Sequence, residues 1–199
     1  MTAHPKLTVS GMHRWMRCPA SVRAEAQLPD TLSRAEEESG AAHLLAETCL
    51  SRGDNAEAYV NDEMIGYADH PVTEDMADAV QVYLNYVRAV PGTLHIEPNV
   101  DLSPWVQGGY ATTDAIVVRG ITAHVVDLNY TQQECGRAED NPELMLYALG
   151  AMNTFRSVYA IKTFKTAIVQ PRRDHISEAS ITIEDLYHFG ESVKACAAD

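Results

Sequence analysis

Two aspartates set among apolar residues impose the strongest constraint on how this chain folds. The segment 109–130 reads GYATTDAIVVRGITAHVVDLNY, two β-rich runs joined by a short turn at Arg119-Gly120. Asp114 lies in the first run and Asp127 in the second. Neighbouring antiparallel strands would bring the two carboxylates together at one end of a sheet. Buried carboxylates are costly unless a metal ion, a basic side chain or a helix N-terminus compensates them.

Length and charge limit the classes of function that fit the chain. With 199 residues and 46% hydrophobic content, it is long enough to bury the core of one domain over residues 1–199. The formal net charge of −13 opposes non-specific attraction to nucleic-acid phosphates, so any basic groove has to be local. No run is apolar enough to cross a membrane, and the N-terminus lacks the apolar core of a signal peptide. We therefore expect a cytoplasmic protein without a membrane partner.

Hydrophobic patterning predicts an α/β fold with a mixed sheet. An irregular or helical segment, 1–92, precedes a sheet core, 93–199. Ser10 is expected to cap a short helix, and Trp15 to pack against the body of the domain. The other predicted elements are helices at 34–50 and 73–90, strands at 94–102, 111–118 and 123–130, a helix at 141–155, a strand at 158–169 and a helix at 183–195.

Local signals support the predicted helices. Ser33 and Asn141 are typical N-cap residues, and Pro142 suits the first helical position. Pro98 interrupts the first β-rich segment, so that strand is expected to be short or at an edge. The second helix carries one apolar stripe, formed by Met76, Val80, Tyr83, Leu84 and Val87.

The same residues resemble a known nuclease family. The fragments EESGAAHLLAE, VDLSPWV, TTDAIVV, VVDLNY and EDNPELMLYALGA occur in this order over most of the chain. They are similar to the PD-(D/E)XK nuclease superfamily, RecB-like exonuclease type, and most similar to a phage and prophage family, the domain of unknown function 2800. The resemblance implies a three-layer restriction-endonuclease-like core, a central mixed sheet flanked by helices in α-β-β-β-α-β order.

The resemblance also implies a metal site and a reaction. His43, Asp114 and Asp127 match the metal ligands of the family, with the backbone carbonyl of Leu128 completing the set. Oxygen ligands with one imidazole suit Mg²⁺ or Mn²⁺ better than zinc. Glu38 matches an acidic position before the histidine. The expected protein is a metal-dependent DNA nuclease, exonuclease-like, that acts on linear duplex or single-stranded ends in phage recombination or DNA processing.

Three positions depart from the family pattern. Asn129 stands where the motif lysine is expected, Glu143 replaces a glutamine one helical turn before Tyr147, and Ser39 replaces a glycine. Asn129 would supply a hydrogen bond but no positive charge, and Glu143 and Tyr147 are expected to position the substrate. The alternative implied by these departures is a catalytically decayed nuclease-fold protein that binds a protein partner.

Without the resemblance, the same residues allow simpler interpretations. A histidine among alanines is often a half-buried structural residue, and strand aspartates often cap turns or pair with arginine. A metal-free α/β protein with structural aspartates therefore remains a third hypothesis. Basic candidates for a phosphate contact or a displaced motif lysine lie in the following strand and after it, at Lys162, Lys165, Arg172 and Arg173.

The cysteines argue against two other cofactors. Cys18, Cys49, Cys135 and Cys196 contain no CxxC pair, so no zinc site is predicted and free thiols are expected. Only Cys196 lies near the C-terminus, so the one-plus-three cysteine pattern of iron–sulfur members is not met, and no iron–sulfur cluster is expected. The resemblance is compatible with a recombination protein as a partner, with a homo-oligomer, and with a phage or prophage origin in a bacterial host.

Overall fold

A mixed five-stranded sheet lies at the centre of the protein. The computed structural model describes residues 11–18, 21, 24, 33–62, 71–133 and 136–197. Its strands are β1 (Thr93–Ile96), β2 (Asn99–Asp101), β3 (Tyr110–Thr112), β4 (Ala115–Arg119), β5 (Thr122–Leu128), β6 (Thr163–Gln170) and β7 (His175–Thr182). The large sheet has the order β1-β4-β5-β6-β7, and β2 and β3 form a separate two-stranded ribbon. Only the β5–β6 pair of the large sheet is parallel.

Helices cover both faces of this sheet. The α-helices are α1 (Met12–Trp15), α2 (Arg34–Arg52), α3 (Glu74–Ala89), α4 (Pro142–Phe155) and α5 (Ile183–Ala197). Alternate residues of β5 divide the core: Val126 and Leu128 pack with α2 and α3, whereas Ala123 and Val125 pack with α4 and α5. The protein is therefore an α/β protein with a mixed sheet between two helical layers, as predicted. No helix in the described ranges is long and apolar enough to span a membrane.

The predicted helix starts are confirmed. Ser33 and Glu36 form a reciprocal capping box at the start of α2, and the Thr73 hydroxyl accepts the Met76 N–H at the start of α3. Asn141 caps α4 and Pro142 occupies its first turn. The five residues of the predicted apolar stripe on α3 are all buried. Trp15 is also buried, in the core formed by α4 and α5, as expected. Ser10 and Cys135 lie outside the described residues.

The strand predictions need three corrections. The predicted strand 94–102 is two strands, β1 and β2, because the chain turns at Glu97 with φ of +45° and the two strands pair with different partners. The segment 111–118 is likewise divided between β3 and β4. The strand predicted at 158–169 begins only at Thr163, after a turn. The prediction that this first strand is short or at an edge is confirmed, because β1 has four residues and lies at the edge of the large sheet.

One strand was missed altogether. β7 pairs with β6 as an antiparallel hairpin across the short 3-10 helix Pro171–Arg173. Its sequence, HISEASIT, contains few apolar residues, and most of its residues are exposed or partly exposed. An edge strand of this kind has no strong hydrophobic alternation, which is why the sequence pattern did not predict it.

Gly150 provides a test of how α4 packs on the β2–β3 ribbon. A Cβ atom at position 150 would lie 2.7 Å from Cγ2 of Val100, which is closer than packed carbon atoms approach. We expect Gly150→Ala to lower the free energy of unfolding by about 1–3 kcal/mol, measured by urea denaturation. Gly136→Ala is the matched control, because its added Cβ meets no atom nearer than 3.8 Å. Equal stability of the two variants would contradict this packing.

Candidate metal centre

The register of two strands brings Asp114 and Asp127 together. β4 and β5 pair antiparallel with Ala115 opposite Val126, so Asp114, one residue before β4, stands opposite Asp127. The Leu128 N–H donates a hydrogen bond to Asp114 Oδ2 at 2.6 Å. The sequence prediction that the two carboxylates meet at one end of a sheet is therefore confirmed.

His43 extends from α2 towards this pair. Its Nε2 lies 3.7 Å from Asp114 Oδ2, and the two side chains are 32% and 17% exposed. Its Nδ1 lies 2.7 Å from the carbonyl oxygen of Ser39, one helical turn earlier. A carbonyl only accepts hydrogen bonds, so Nδ1 carries the hydrogen and Nε2 is the ring nitrogen directed at the carboxylate. A backbone acceptor on one ring nitrogen commonly orients a histidine whose other nitrogen binds a metal.

Burial and like charge destabilise the ionised form of both aspartates. Burial raises the pKa of Asp114, although His43 and the Leu128 N–H partly oppose the effect. The pKa of Asp127 is held well above its usual range by burial and by the charges of Asp114 and Glu143. Within the described part of the chain, neither aspartate forms an ion pair with lysine or arginine. A bound divalent cation would relieve this repulsion.

The donor set suits a hard divalent cation, but the side chains stand too far apart to share one. Two carboxylates and one imidazole are ligands that Mg²⁺ and Mn²⁺ accept. Among the residues that the structure describes, no three His, Cys, Asp or Glu side chains lie close enough to hold a metal ion. Cation binding at His43, Asp114 and Asp127 would therefore require their side chains to approach one another.

The first two turns of α4 complete one wall of the site. Glu143 raises the pKa of Asp127, so its charge acts directly on the aspartate pair. The Tyr147 hydroxyl donates to Glu143 Oε1 at 3.4 Å. Burial, Asp127 and Glu143 raise the pKa of this phenol. Both residues predicted to position a substrate thus lie beside the predicted metal ligands.

Asn129 follows directly after β5 and takes part in a turn. Its backbone N–H donates to the Val169 carbonyl at 2.9 Å. Its side-chain oxygen accepts the Thr131 N–H at 3.3 Å, which closes an Asx turn. The side chain is therefore near the end of the strand that carries Asp127, and its predicted catalytic role remains a prediction.

Glu38 and Arg172 contact each other rather than the aspartates. Arg172 Nη1 lies 2.9 Å from Glu38 Oε1, and the guanidinium carbon is 4.9 Å from the centre of the Tyr130 ring. This pairing and stacking explain Arg172 without a phosphate. Arg173 donates to the backbone carbonyl of Gln132 at 3.2 Å.

Neither lysine of the following segment replaces the motif lysine. Lys165 pairs with His124. His124 lies three positions before Asp127 along β5, a distance of about 10 Å along the strand. Lys162 precedes β6, where its backbone N–H donates to the Ile121 carbonyl at the other end of the sheet. The suggestion that one of them reaches the site is therefore wrong.

Two acidic residues of this site were missed from the sequence. The Glu97 N–H donates to the Asp114 carbonyl at 3.0 Å, so the turn after β1 lies against Asp114. Burial, Asp114 and Glu47 raise the pKa of Glu97 to about 7. Glu47 lies one helical turn after His43, and this spacing could have indicated from the sequence that Glu47 faces the same site. No such pattern indicated Glu97. The segment 94–102 was predicted as one continuous strand, and Glu97 did not belong to its apolar face.

Two comparisons with known proteins bear on this chain. A family model described as a protein of unknown function (DUF2800) matches residues 4–199. A solved structure described as the crystal structure of SSO0001 is 10% identical, with 94% of this chain and 85% of that chain covered and a TM-score of 0.33. A TM-score this low supports no inference about fold or activity, so the site is interpreted from its own residues.

The raised pKa of Glu97 predicts a pH dependence for the metal-free protein. A carboxyl whose folded-state pKa exceeds its ordinary value of 4.5 binds its proton more tightly in the folded state. Its contribution to stability is therefore present at low pH and is lost as the pH rises from about 4.5 to about 7. In EDTA, we expect Glu97→Gln to exceed the wild type by about 2 kcal/mol in unfolding free energy at pH 8.

Urea denaturation at pH 4.5 and pH 8 checks this expectation. The advantage of Glu97→Gln should shrink at the lower pH, where the wild-type carboxyl is largely protonated as well. Glu57→Gln, at an exposed position of a 3-10 helix, is the control and should follow the wild type. An advantage that does not change with pH would place the Glu97 carboxyl outside the charged cluster.

Proposed function

Because this chain belongs to the DUF2800 family, described as proteins of unknown function, we propose its activity from the chemistry of its site. It is a divalent-metal-dependent DNA nuclease, exonuclease-like, that acts on DNA ends in phage recombination or DNA processing. His43, Asp114 and Asp127 hold Mg²⁺ or Mn²⁺. The proposal includes a PD-(D/E)XK core of restriction-endonuclease-like fold.

One observation carries the proposal: His43 Nε2 is 3.7 Å from Asp114 Oδ2, at the point where the strand register sets Asp114 opposite Asp127. Three side chains from three separate segments face this strand end and would have to approach one another to share a cation. The raised pKa values of Asp114 and Asp127 reflect a burial and repulsion that a cation would relieve. A structural role for both aspartates would leave this repulsion in place with no benefit to the protein.

The element order supports the proposed core. If the β2–β3 ribbon is treated as an insertion, then α3, β1, β4, β5, α4 and β6 follow one another in α-β-β-β-α-β order. The aspartates lie at the start of the second core strand and near the end of the third. This is the placement that the resemblance to PD-(D/E)XK nucleases implies.

Each group has a chemical task in the proposed reaction. A bound divalent cation would polarise the scissile phosphate and lower the pKa of an attacking water. Asp114 and Asp127 supply hard oxygen donors, and His43 supplies a nitrogen donor oriented by Ser39. Tyr147 offers a phenolic hydrogen-bond donor beside them. Asn129 hydrogen-bonds a water or a phosphate oxygen but adds no positive charge.

A second candidate function has a specific observation in its favour. The motif lysine is replaced by Asn129, whose side-chain oxygen closes a turn. No lysine or arginine of the described residues forms an ion pair with the two aspartates. A nuclease-fold protein without this charge would bind a metal weakly, or in a form that does not support cleavage. It would act instead by binding a protein partner.

Metal binding is tested by titrating the full-length protein with Mn²⁺ in a calorimeter. We expect one site whose affinity falls at least about 10-fold in Asp127→Asn and in His43→Ala, because each change removes one donor. Asp78→Asn, at an exposed position of α3, is the matched control and should bind like the wild type. Unchanged Mn²⁺ affinity in the first two variants would eliminate the proposed site.

Catalysis is tested by incubating the protein with linear and with circular DNA in Mg²⁺ or Mn²⁺. The nuclease proposal predicts cleavage of the linear DNA by the wild type, reduced about 100-fold or more in Asp127→Asn. Asn129→Lys restores the missing charge and should accelerate cleavage about 10-fold or more. A wild type that binds Mn²⁺ but cleaves only after Asn129→Lys would favour the decayed, partner-binding protein.

A further inference from the structure

A surface cavity of about 660 Å³ lies where the β4–β5 turn approaches the end of α3. The turn, at Gly120 and Ile121, is at the end of the hairpin remote from Asp114 and Asp127. The described lining of the cavity includes no residue of the candidate metal centre. A concave site of this size is large enough to hold a small organic molecule.

Apolar side chains from two segments line part of the cavity. Ala89, Val90 and Pro91 come from the end of α3 and the residues after it, and Val117 and Ile121 come from the β4–β5 hairpin. The Ile121 side chain is 52% exposed, although it borders a concave surface. Apolar area of this kind is transferred out of water when a ligand covers it, which favours binding.

Three polar lining residues hydrogen-bond to one another. The Tyr86 hydroxyl donates to the Glu178 carboxylate, and its oxygen lies 3.2 Å from His124 Nε2. A hydroxyl has one hydrogen, so Nε2 is the donor in the second contact. The three side chains come from α3, β7 and β5, and together they form one hydrogen-bonded wall of the cavity. The carboxylate of this wall is already engaged by a donor.

The two cations of the lining have no comparable partner. Arg119 and Lys165 are exposed, and neither forms an ion pair among the residues that the structure describes. The pKa of His124 is lowered by burial and by the Lys165 charge, against the opposing charge of Glu178, so Lys165 acts on the cavity wall. Two cations and one carboxylate make the lining positive, in a chain whose net charge is −13.

We propose that this cavity binds a small organic anion, in which a carboxylate or sulfonate group is attached to an apolar body of one or two rings. Arg119 and Lys165 hold the anionic group, and the apolar body covers Val117 and Ile121. Guanidinium and ammonium groups pair with such anions, and the apolar contact adds affinity that a fully polar anion lacks. This binding site does not depend on the proposed metal binding.

Two fluorescent probes of nearly the same shape test the proposal. Anilinonaphthalene sulfonate carries the anionic group on a ring system, and phenylnaphthylamine has the same rings without the sulfonate. Each is titrated into the full-length protein in EDTA, so that no metal contributes to binding. We expect the wild type to bind the anionic probe about 10-fold more tightly than the neutral one.

The charge contribution is tested by removing the two cations. We expect Lys165→Met to weaken binding of the anionic probe about 3-fold, and the double change Lys165→Met with Arg119→Met about 10-fold, because each removes one partially solvated ion pair. Binding of the neutral probe should not change. Lys194→Met, which makes the same charge change at an exposed position of α5, is the matched control and should bind both probes like the wild type.

The location of the probes is tested by filling the cavity. Ala89 is exposed and lines the cavity, so Ala89→Trp places an indole ring in it without removing a buried side chain. We expect this variant to weaken binding of the anionic probe about 10-fold or more. Ala195→Trp, at an exposed position of α5, is the matched control and should leave the affinity unchanged.

Three results would overturn the inference. A wild type that binds neither probe, or binds both equally, would show that the cavity does not select an organic anion. Equal losses in Lys165→Met and Lys194→Met would assign the charge effect to the net charge of the protein. Undiminished binding by Ala89→Trp would place the probe elsewhere. The Mn²⁺ titration has no bearing on these outcomes, so the proposed function and this inference stand or fall separately.

Discussion

The antiparallel pairing of β4 with β5 is the interaction on which the rest of the structure depends. The hairpin closes at Gly120, whose φ of +59° suits a residue without a side chain, and Arg119 pairs with Thr122 across the turn. The alternation of side chains then fixes which residues of β4 and β5 enter each helical layer. A slip of one residue would exchange the two faces and separate Asp114 from Asp127. The turn therefore sets both the core and the candidate site.

The site draws on both helical layers, which explains why it lies at a strand end. His43 comes from α2 on one face of the sheet, and Glu143 and Tyr147 come from α4 on the other. At the end of β5, side chains from both layers lie near the aspartate pair: His43 near Asp114, and Glu143 and Tyr147 near Asp127. Such a site depends on the packing of the whole domain. It also concentrates acidic groups in a poorly solvated place, which raises the pKa of Asp114, Asp127 and Glu97.

Local signals in the sequence predicted much of the fold and part of the site. The N-caps, the turn at Gly120 and the stripe on α3 each depend on a few adjacent residues, and all were recognisable. β7 was missed because an exposed edge strand needs no apolar alternation. Glu97 was missed for another reason. Its position beside Asp114 depends on a contact between segments distant in sequence, which no local pattern indicates.

Three groups could compensate the buried aspartates: a basic side chain, a helix N-terminus and a metal ion. Among the described residues, neither aspartate forms an ion pair with lysine or arginine, and Arg172 pairs with Glu38 instead. The N-terminus of α4 is satisfied by its own cap, because Asn141 Oδ1 accepts the Glu143 and Leu144 N–H groups at 3.0 and 3.2 Å.

A helix terminus already capped in this way, with Glu143 in its first turn, offers the aspartates little positive potential. The Ser39 carbonyl orients His43 so that Nε2 faces Asp114. The Nε2–Oδ2 separation of 3.7 Å is long for an ion pair, whereas the orientation of Nε2 suits a metal ligand. Of the three compensating groups, His43 already serves Asp114 in part as a basic side chain, whereas the proposed divalent cation would serve both aspartates but would require His43 and both carboxylates to approach one another. Neither form of compensation depends on whether Asn129 permits catalysis.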